Sequence, residues 1–147
     1  MAGKNGSLIS PAMFQRFMTP YYRRMMDLAG DRGTVIRLVD SDGYMHALTP
    51  LFLDAGLTGL YPYEVQAGND LAELLEDHPG LHALGHIDKR AMAKDRVAMD
   101  AEIERLRKIT EVGRFIPHMD HAVPPDVSWE SYQYMVWRWK ELVGKKD

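Results

Sequence analysis

Arg114-Phe115-Ile116-Pro117-His118-Met119-Asp120-His121-Ala122-Val123-Pro124-Pro125-Asp126 is the stretch on which the reading of the fold turns. Phe115 and Ile116 open a short apolar run, Pro117 interrupts it, and Pro124 with Pro125 closes it, which describes a strand followed by a loop. His118, Asp120 and His121 place three candidate ligands or proton carriers within four residues. Side chains alternate along an extended segment, so His118 and Asp120 are expected on one face, with His121 elsewhere unless the backbone has already turned.

Working outward, the same strand-then-helix unit recurs. After this strand, Ser128 caps a helix in which Trp129, Tyr132, Met135, Val136, Trp139, Leu142 and Val143 recur at helical spacing, and Lys145–Asp147 trails off. Before it, Lys89 to Val112 is helical throughout or broken once near Lys94, with Val97, Ile103, Leu106 and Ile109 forming its apolar stripe and Gly113 its end. Leu81–Ile87 is the strand that precedes this helix. Gly59–Val65 is an earlier strand followed by a helix at Asp70–Asp77, and Thr34–Asp40 is the first, followed by a helix at His46–Ala55. Ahead of them Ser10-Pro11 starts a helix that Pro20 must kink or restart and Gly30 ends. One domain over residues 1–147 is expected, with a flexible leader at 1–7, a leading helix at 8–30 and four strand–helix units at 34–147. Strict alternation predicts an α/β fold with a parallel sheet.

Composition narrows the function. The 46% hydrophobic content supports an ordinary core, and 18 Lys plus Arg against 21 Asp plus Glu leave a net charge of only −3. Nucleic acid and anionic membranes are therefore not the expected partners. Cysteine is absent, so disulfides and thiolate zinc sites are excluded and only oxygen and imidazole donors remain. Met1–Ser7 is polar and no run of about 18 apolar residues exists, which makes a cytoplasmic location the expectation.

Each strand ends on acid: Asp40 with Asp42, Glu64, Asp88 and Asp120. In parallel α/β folds ligands bind at that edge, because the loops after the strands converge there. Any single Asp after a strand caps the following helix or turn about as readily as it serves a site, but four acidic tips on one rim form a constellation. Crowded carboxylates raise some of their pKa values or recruit a cation. Asp40, Glu64, Asp88, Asp120 and His121 are thus the catalytic candidates. Asp42, Lys89 and Arg90 are the ligand- or cofactor-binding candidates, the two cations suiting a substrate anion. His86 and His118 are candidate ligands for a divalent metal such as zinc or manganese. His46, His78 and His82 look incidental, and no phosphate or dinucleotide fingerprint and no nucleophile elbow appears.

Ile9-Ser10-Pro11-x-Met13-Phe14, Val39-Asp40-Ser41-Asp42-Gly43, Pro50-Leu51-Phe52-Leu53-x-Ala55-Gly56, Tyr61-Pro62-x-Glu64-Val65-x-Ala67-Gly68, Ile87-Asp88-Lys89-Arg90 and Ile116-Pro117-x-x-Asp120-His121-x-Val123-Pro124-Pro125-Asp126-Val127-Ser128 together resemble the uroporphyrinogen decarboxylase superfamily, in its decarboxylase-like, methyltransferase-related branch. That family is a (β/α)8 barrel, and the resemblance is to its C-terminal half. The resemblance therefore implies a (βα)4 half of a TIM barrel, without the arginine-rich substrate segment and catalytic aspartate of the family's N-terminal half. Cobalamin-linked members bind zinc through a His-x-Cys and a later Cys; Asp40-Ser41-Asp42 and His118-x-Asp120-His121 stand at those places here. Gly85-His86 stands where relatives usually read Gly-Gly.

Four parallel strands cannot close a barrel, so one face and both edges need cover. A homodimer that pairs two halves into an eight-stranded, barrel-like assembly is the expected solution. Its function is expected to be a small-molecule site at the strand ends, lyase- or transferase-like if active. The alternative is a non-catalytic half-barrel scaffold, or a fragment whose activity needs the missing half.

Overall fold

The chain begins as a hairpin where a frayed leader was expected: β1 (Ala2–Gly3) pairs antiparallel with β2 (Gly6–Ser7) in a computed structural model that describes residues 1–144. The hairpin has a partner the sequence pattern does not reveal. Tyr44 N–H donates to the Gly3 carbonyl at 3.0 Å, and the Met1 amino group donates to Ser41 Oγ at 3.2 Å. Gly43, at φ 87°, passes so close that a Cβ there would sit 2.5 Å from the Ala2 carbonyl oxygen. Only glycine fits that approach.

Two helices follow, α1 (Pro11–Phe17), capped by Ser10 Oγ accepting from Met13 N–H at 3.2 Å, and α2 (Thr19–Asp31). The expected break falls at Met18, which places Pro20 in the first turn of α2, where no intrahelical donor is needed. Then come β3 (Leu38–Ser41), α3 (Thr49–Asp54), β4 (Gly59–Pro62), a 3-10 turn at Val65–Ala67, α4 (Leu71–Asp77), β5 (His82–Ile87), α5 (Lys89–Met92), α6 (Arg96–Val112), β6 (Phe115–Met119) and α7 (Trp129–Leu142). The break in the long helix lies where Asp95 caps α6 by accepting from Ala98 N–H at 2.8 Å. Lys145–Asp147 lies outside the described residues.

The strands form one parallel sheet in the order β3-β4-β5-β6. Two are shorter than expected. β3 starts at Leu38 because its neighbour β4 starts only at Gly59, their registered partner, so Val35 and Ile36 have no strand to pair with and stay exposed. β4 stops at Pro62 because Tyr63 turns into the left-handed region at φ 52°. Pro117 does not interrupt β6: this strand is the sheet's edge, where a missing donor leaves no ladder bond unmade.

The core lies on one side of the sheet. Leu60, Ile87 and Met119 from the strands pack with Phe14, Phe52, Leu75, Met99, Leu106 and Met135 from the helices. Phe52 meets Phe14 and Tyr22 edge-on at 4.9 and 5.3 Å, which docks the leading helices on α3. Residues of opposite parity along β6 are bare: Phe115, Pro117 and Met119 are buried, whereas Ile116 is 65% exposed and His118 is also exposed. A four-stranded parallel sheet with helices on one face and a partly apolar open face is consistent with a (βα)4 half barrel.

Candidate functional site at the strand tips

The open face holds a cleft of about 710 Å³. Its walls are Leu38, Tyr61, Pro62, Leu84 and Met119, and its polar lining is Asp40, Asp42, His118, Asp120 and His121. The edge strands β3 and β6 thus deliver their tips to the same space across β4 and β5.

At its centre is His121. Its Nε2 lies 3.3 Å from Asp42 Oδ1 and its Nδ1 lies 3.5 Å from Asp120 Oδ1. The two carboxylates differ sharply in setting. Asp42 has 65% of its side chain in solvent, while Asp120 has none. Asp120 instead accepts from Val65 N–H at 3.2 Å and from Lys89 N–H at 3.4 Å, and Lys89 Nζ stands 4.0 Å away. This one buried carboxylate ties the loops after β4 and β5 to the end of β6. The chain has turned directly after β6, so His118, Asp120 and His121 all reach the cleft despite their mixed parity.

β5 ends differently. Asp88 caps α5 by accepting from Arg90 N–H at 2.9 Å and forms a two-pronged pair with the Arg90 guanidinium, whose Nη2 lies 2.6 Å from Oδ2. Burial pushes the Asp88 carboxyl up, but the bonds from Arg90 outweigh it and hold the group below its ordinary value. Asp88 and Arg90 are committed to each other, and neither they nor Lys89 lines the cleft. Glu64 also lies outside its lining; its carbonyl accepts from Asn69 Nδ2 at 3.0 Å.

His86 departs furthest from the expected rim. It is the registered partner of His118, so the two should share a face. Gly85 at φ 116° and His86 at φ 61° instead twist the end of β5. The imidazole turns toward the helix layer, 2% exposed, with Nδ1 donating to the Tyr63 carbonyl at 2.8 Å. Burial chiefly, then the Arg105 charge, lowers its pKa. His118 stays on the open side, its Nδ1 2.8 Å from the Met119 carbonyl and its ring edge-on to Trp139. The two candidate metal ligands therefore diverge, and among the described residues no three His, Asp or Glu side chains gather in a way that could hold a metal ion. With no thiolate available either, a zinc centre does not fit.

Three supporting residues escaped the sequence reading. Asn69 accepts from Met45 N–H at 2.9 Å and donates to the Gly43 and Glu64 carbonyls, pinning the loops after β3 and β4 together. Glu102 accepts from Asp88 N–H at 2.7 Å, and Arg105 donates to the His86 carbonyl at 2.6 Å while paired to Glu102. Glu102 left a signal, since it sits between Met99 and Leu106 on the buried stripe of α6, where an acid needs partners.

The uroporphyrinogen decarboxylase family model matches residues 2–142, nearly the whole chain. No curated protein matches it.

Proposed function

The chain belongs to the uroporphyrinogen decarboxylase family, and from that premise we propose that it is a C-terminal half barrel whose cleft binds a small carboxylated molecule and exchanges a proton with it through His121. The observation that carries this reading is the imidazole set between Asp42 and Asp120 in an open-face cleft. A carboxylate stands within ion-pair distance of each ring nitrogen, and the exposed Asp42 can yield its place at Nε2 to a substrate. In a decarboxylation the bond to the carboxylate carbon breaks, the electron pair stays on the remaining carbon and CO2 leaves. The Nε2 proton of His121 is then taken up by that pair, and water returns a proton to the ring.

Repulsion from Asp40 and Asp42 orients the substrate with its carboxylate toward the uncovered side and its hydrogen-bond donors toward the acids. Lys89 and Arg90 are not the anion holders, because Arg90 is spent on Asp88 and Lys89 stands behind Asp120. A second copy covers the open face, burying Leu38, Leu84 and Ile116 and closing the cleft to water. Such a protein needs no membrane or nucleic-acid partner and fits the cytoplasm.

CO2 release from uroporphyrinogen and a panel of cyclic carboxylic acids, by protein whose mass is measured by light scattering, tests this. A dimer that releases CO2, with His121→Asn slowed by about 100-fold or more, is expected. A well-folded strict monomer, or a dimer inert toward the whole panel, ends the proposal.

A second reading has support of its own. Asp88 and Asp120 both satisfy backbone N–H groups, as bracing acids do. In a non-catalytic half-barrel scaffold, Asp42→Asn and His121→Asn change no binding signal.

A further inference from the structure

On the helix-covered side of the sheet, away from the cleft, a second cavity of about 410 Å³ opens between the loop after β4, the start of α4 and one face of α6. His86, Arg105 and Lys108 line it together with the loop residues Gly68 and Asn69. None of these has a part in the chemistry at His121.

The state of His86 is set by its surroundings. A carbonyl can only accept, so the 2.8 Å contact with the Tyr63 carbonyl puts the ring proton on Nδ1. Burial favours the neutral ring. Nε2 is then a lone-pair acceptor, the ring's remaining polar atom, and no described residue donates to it. His86 lines the cavity with the accepting capacity of Nε2 unused by the protein, so a donor bound in the cavity can take it up. The cations beside it call for the opposite. Arg105 uses Nε and Nη2 on Glu102 and the His86 carbonyl, which leaves Nη1 free to donate. Lys108 is exposed and forms no ion pair with a described residue. Asp70 stands at the exposed mouth, where its carboxylate caps α4 by accepting from Glu73 N–H.

We propose that this cavity is a binding site for a phosphate group carrying one proton, whose O–H donates to His86 Nε2 while its other oxygens accept from Arg105 Nη1 and Lys108 Nζ. A fully deprotonated oxyanion of the same size meets the cations but sets an oxygen lone pair against the Nε2 lone pair. The site therefore separates phosphate from sulfate, which carries no proton near neutral pH. Free phosphate keeps such a proton throughout the neutral range, whereas the phosphate of a small monoester, with a second pKa of about 6, keeps it only at or below that pH.

The test is titration of the purified protein with inorganic phosphate and, separately, sodium sulfate at constant ionic strength near neutral pH, followed by calorimetry and by the His86 ring signals in NMR. Saturable phosphate binding is expected, with sulfate about tenfold weaker or more, the weight of one charge-assisted hydrogen bond. Lys108→Gln, on the surface, weakens phosphate by about tenfold. His86→Asn, which keeps a residue that tolerates a left-handed backbone, cannot extend into the cavity and brings phosphate and sulfate together. Glycerol 3-phosphate is titrated at about pH 6, where its phosphate still carries a proton: binding there as tight as that of phosphate names an ester as the ligand, and its exclusion there names the free anion. Absence of saturable phosphate binding, or equal binding of phosphate and sulfate by the unmodified protein, overturns the proposal. If His86→Asn fails to fold, the phosphate-to-sulfate ratio and Lys108→Gln decide alone.

Discussion

The tip of β6 gives its acid and imidazoles to the cleft, whereas the tip of β5, its neighbour in the sheet, spends Asp88 on its own helix and turns His86 to the other side. The two tips are joined in register, His86 to His118, and each carries a His and an Asp two residues later. Two local facts separate them. An arginine two residues beyond Asp88 closes a tight pair with it, and no cation follows Asp120 at that spacing. Consecutive positive φ angles at Gly85 and His86 rotate the end of β5, and β6 has none. Chemistry at a strand end thus depends on whether the side chains have already found partners within their own turn.

The sharpest way to break the comparison is at Gly85. A Cβ there would lie 2.1 Å from the Pro62 carbonyl oxygen, at a φ of 116° that side chains rarely adopt. The obstacle is backbone, which cannot swing aside. Gly85→Ala is expected to cost about 4 kcal/mol or more, seen in urea denaturation as loss of most of the stability. A shift of less than about 1 kcal/mol would mean that the twist at this tip is not required by packing.

At the β6 tip the buried carboxylate of Asp120 is the weight-bearing group. Asp120→Ala leaves Val65 N–H and Lys89 N–H without their acceptor, so a loss of about 2–3 kcal/mol is expected. Amide hydrogen exchange should quicken at these two residues before it does in the sheet. Unchanged protection there would show that the carboxylate faces the cleft without bracing the loops.

How much of this was legible beforehand follows from the range of the interactions. The strand–helix order and the acids at the tips depend on local composition, and the four-stranded parallel sheet answers to it. The convergence of Asp42 with His121 depends on the edge strands curving toward one cleft, and resemblance in sequence hinted at the places but not the contact. The twist at His86 was invisible because a non-glycine residue carries no mark of a positive φ; its extra side chain after Gly85 was the only sign of something unusual. The Met1–Ser7 hairpin and the Asn69 clasp escaped for another reason. Both join segments 24 or more residues apart through bonds in which one partner is a main-chain or terminal group, and such groups carry no mark of residue type.

The smallest effect expected is also the one that reads the β5 tip most directly. Burial first, and the Arg105 charge next, lower the His86 pKa from its ordinary 6.5, against the raising influence of the Tyr63 carbonyl, Glu102 and Asp120. Above 6.5 the imidazole is neutral in both folded and unfolded chains and adds no slope. As the pH falls below 6.5, the unfolded chain takes up a proton that the folded chain refuses, so stability declines until the depressed folded value is reached. His86→Asn removes this titration. It should cost about 1 kcal/mol at neutral pH, for the lost bond to the Tyr63 carbonyl, and the gap to the unmodified protein should narrow as acidity rises. Urea midpoints taken from about pH 7.5 to pH 5 measure it. Parallel curves would mean that the His86 ring is open to water, and with it the distinction between the two strand tips would fail.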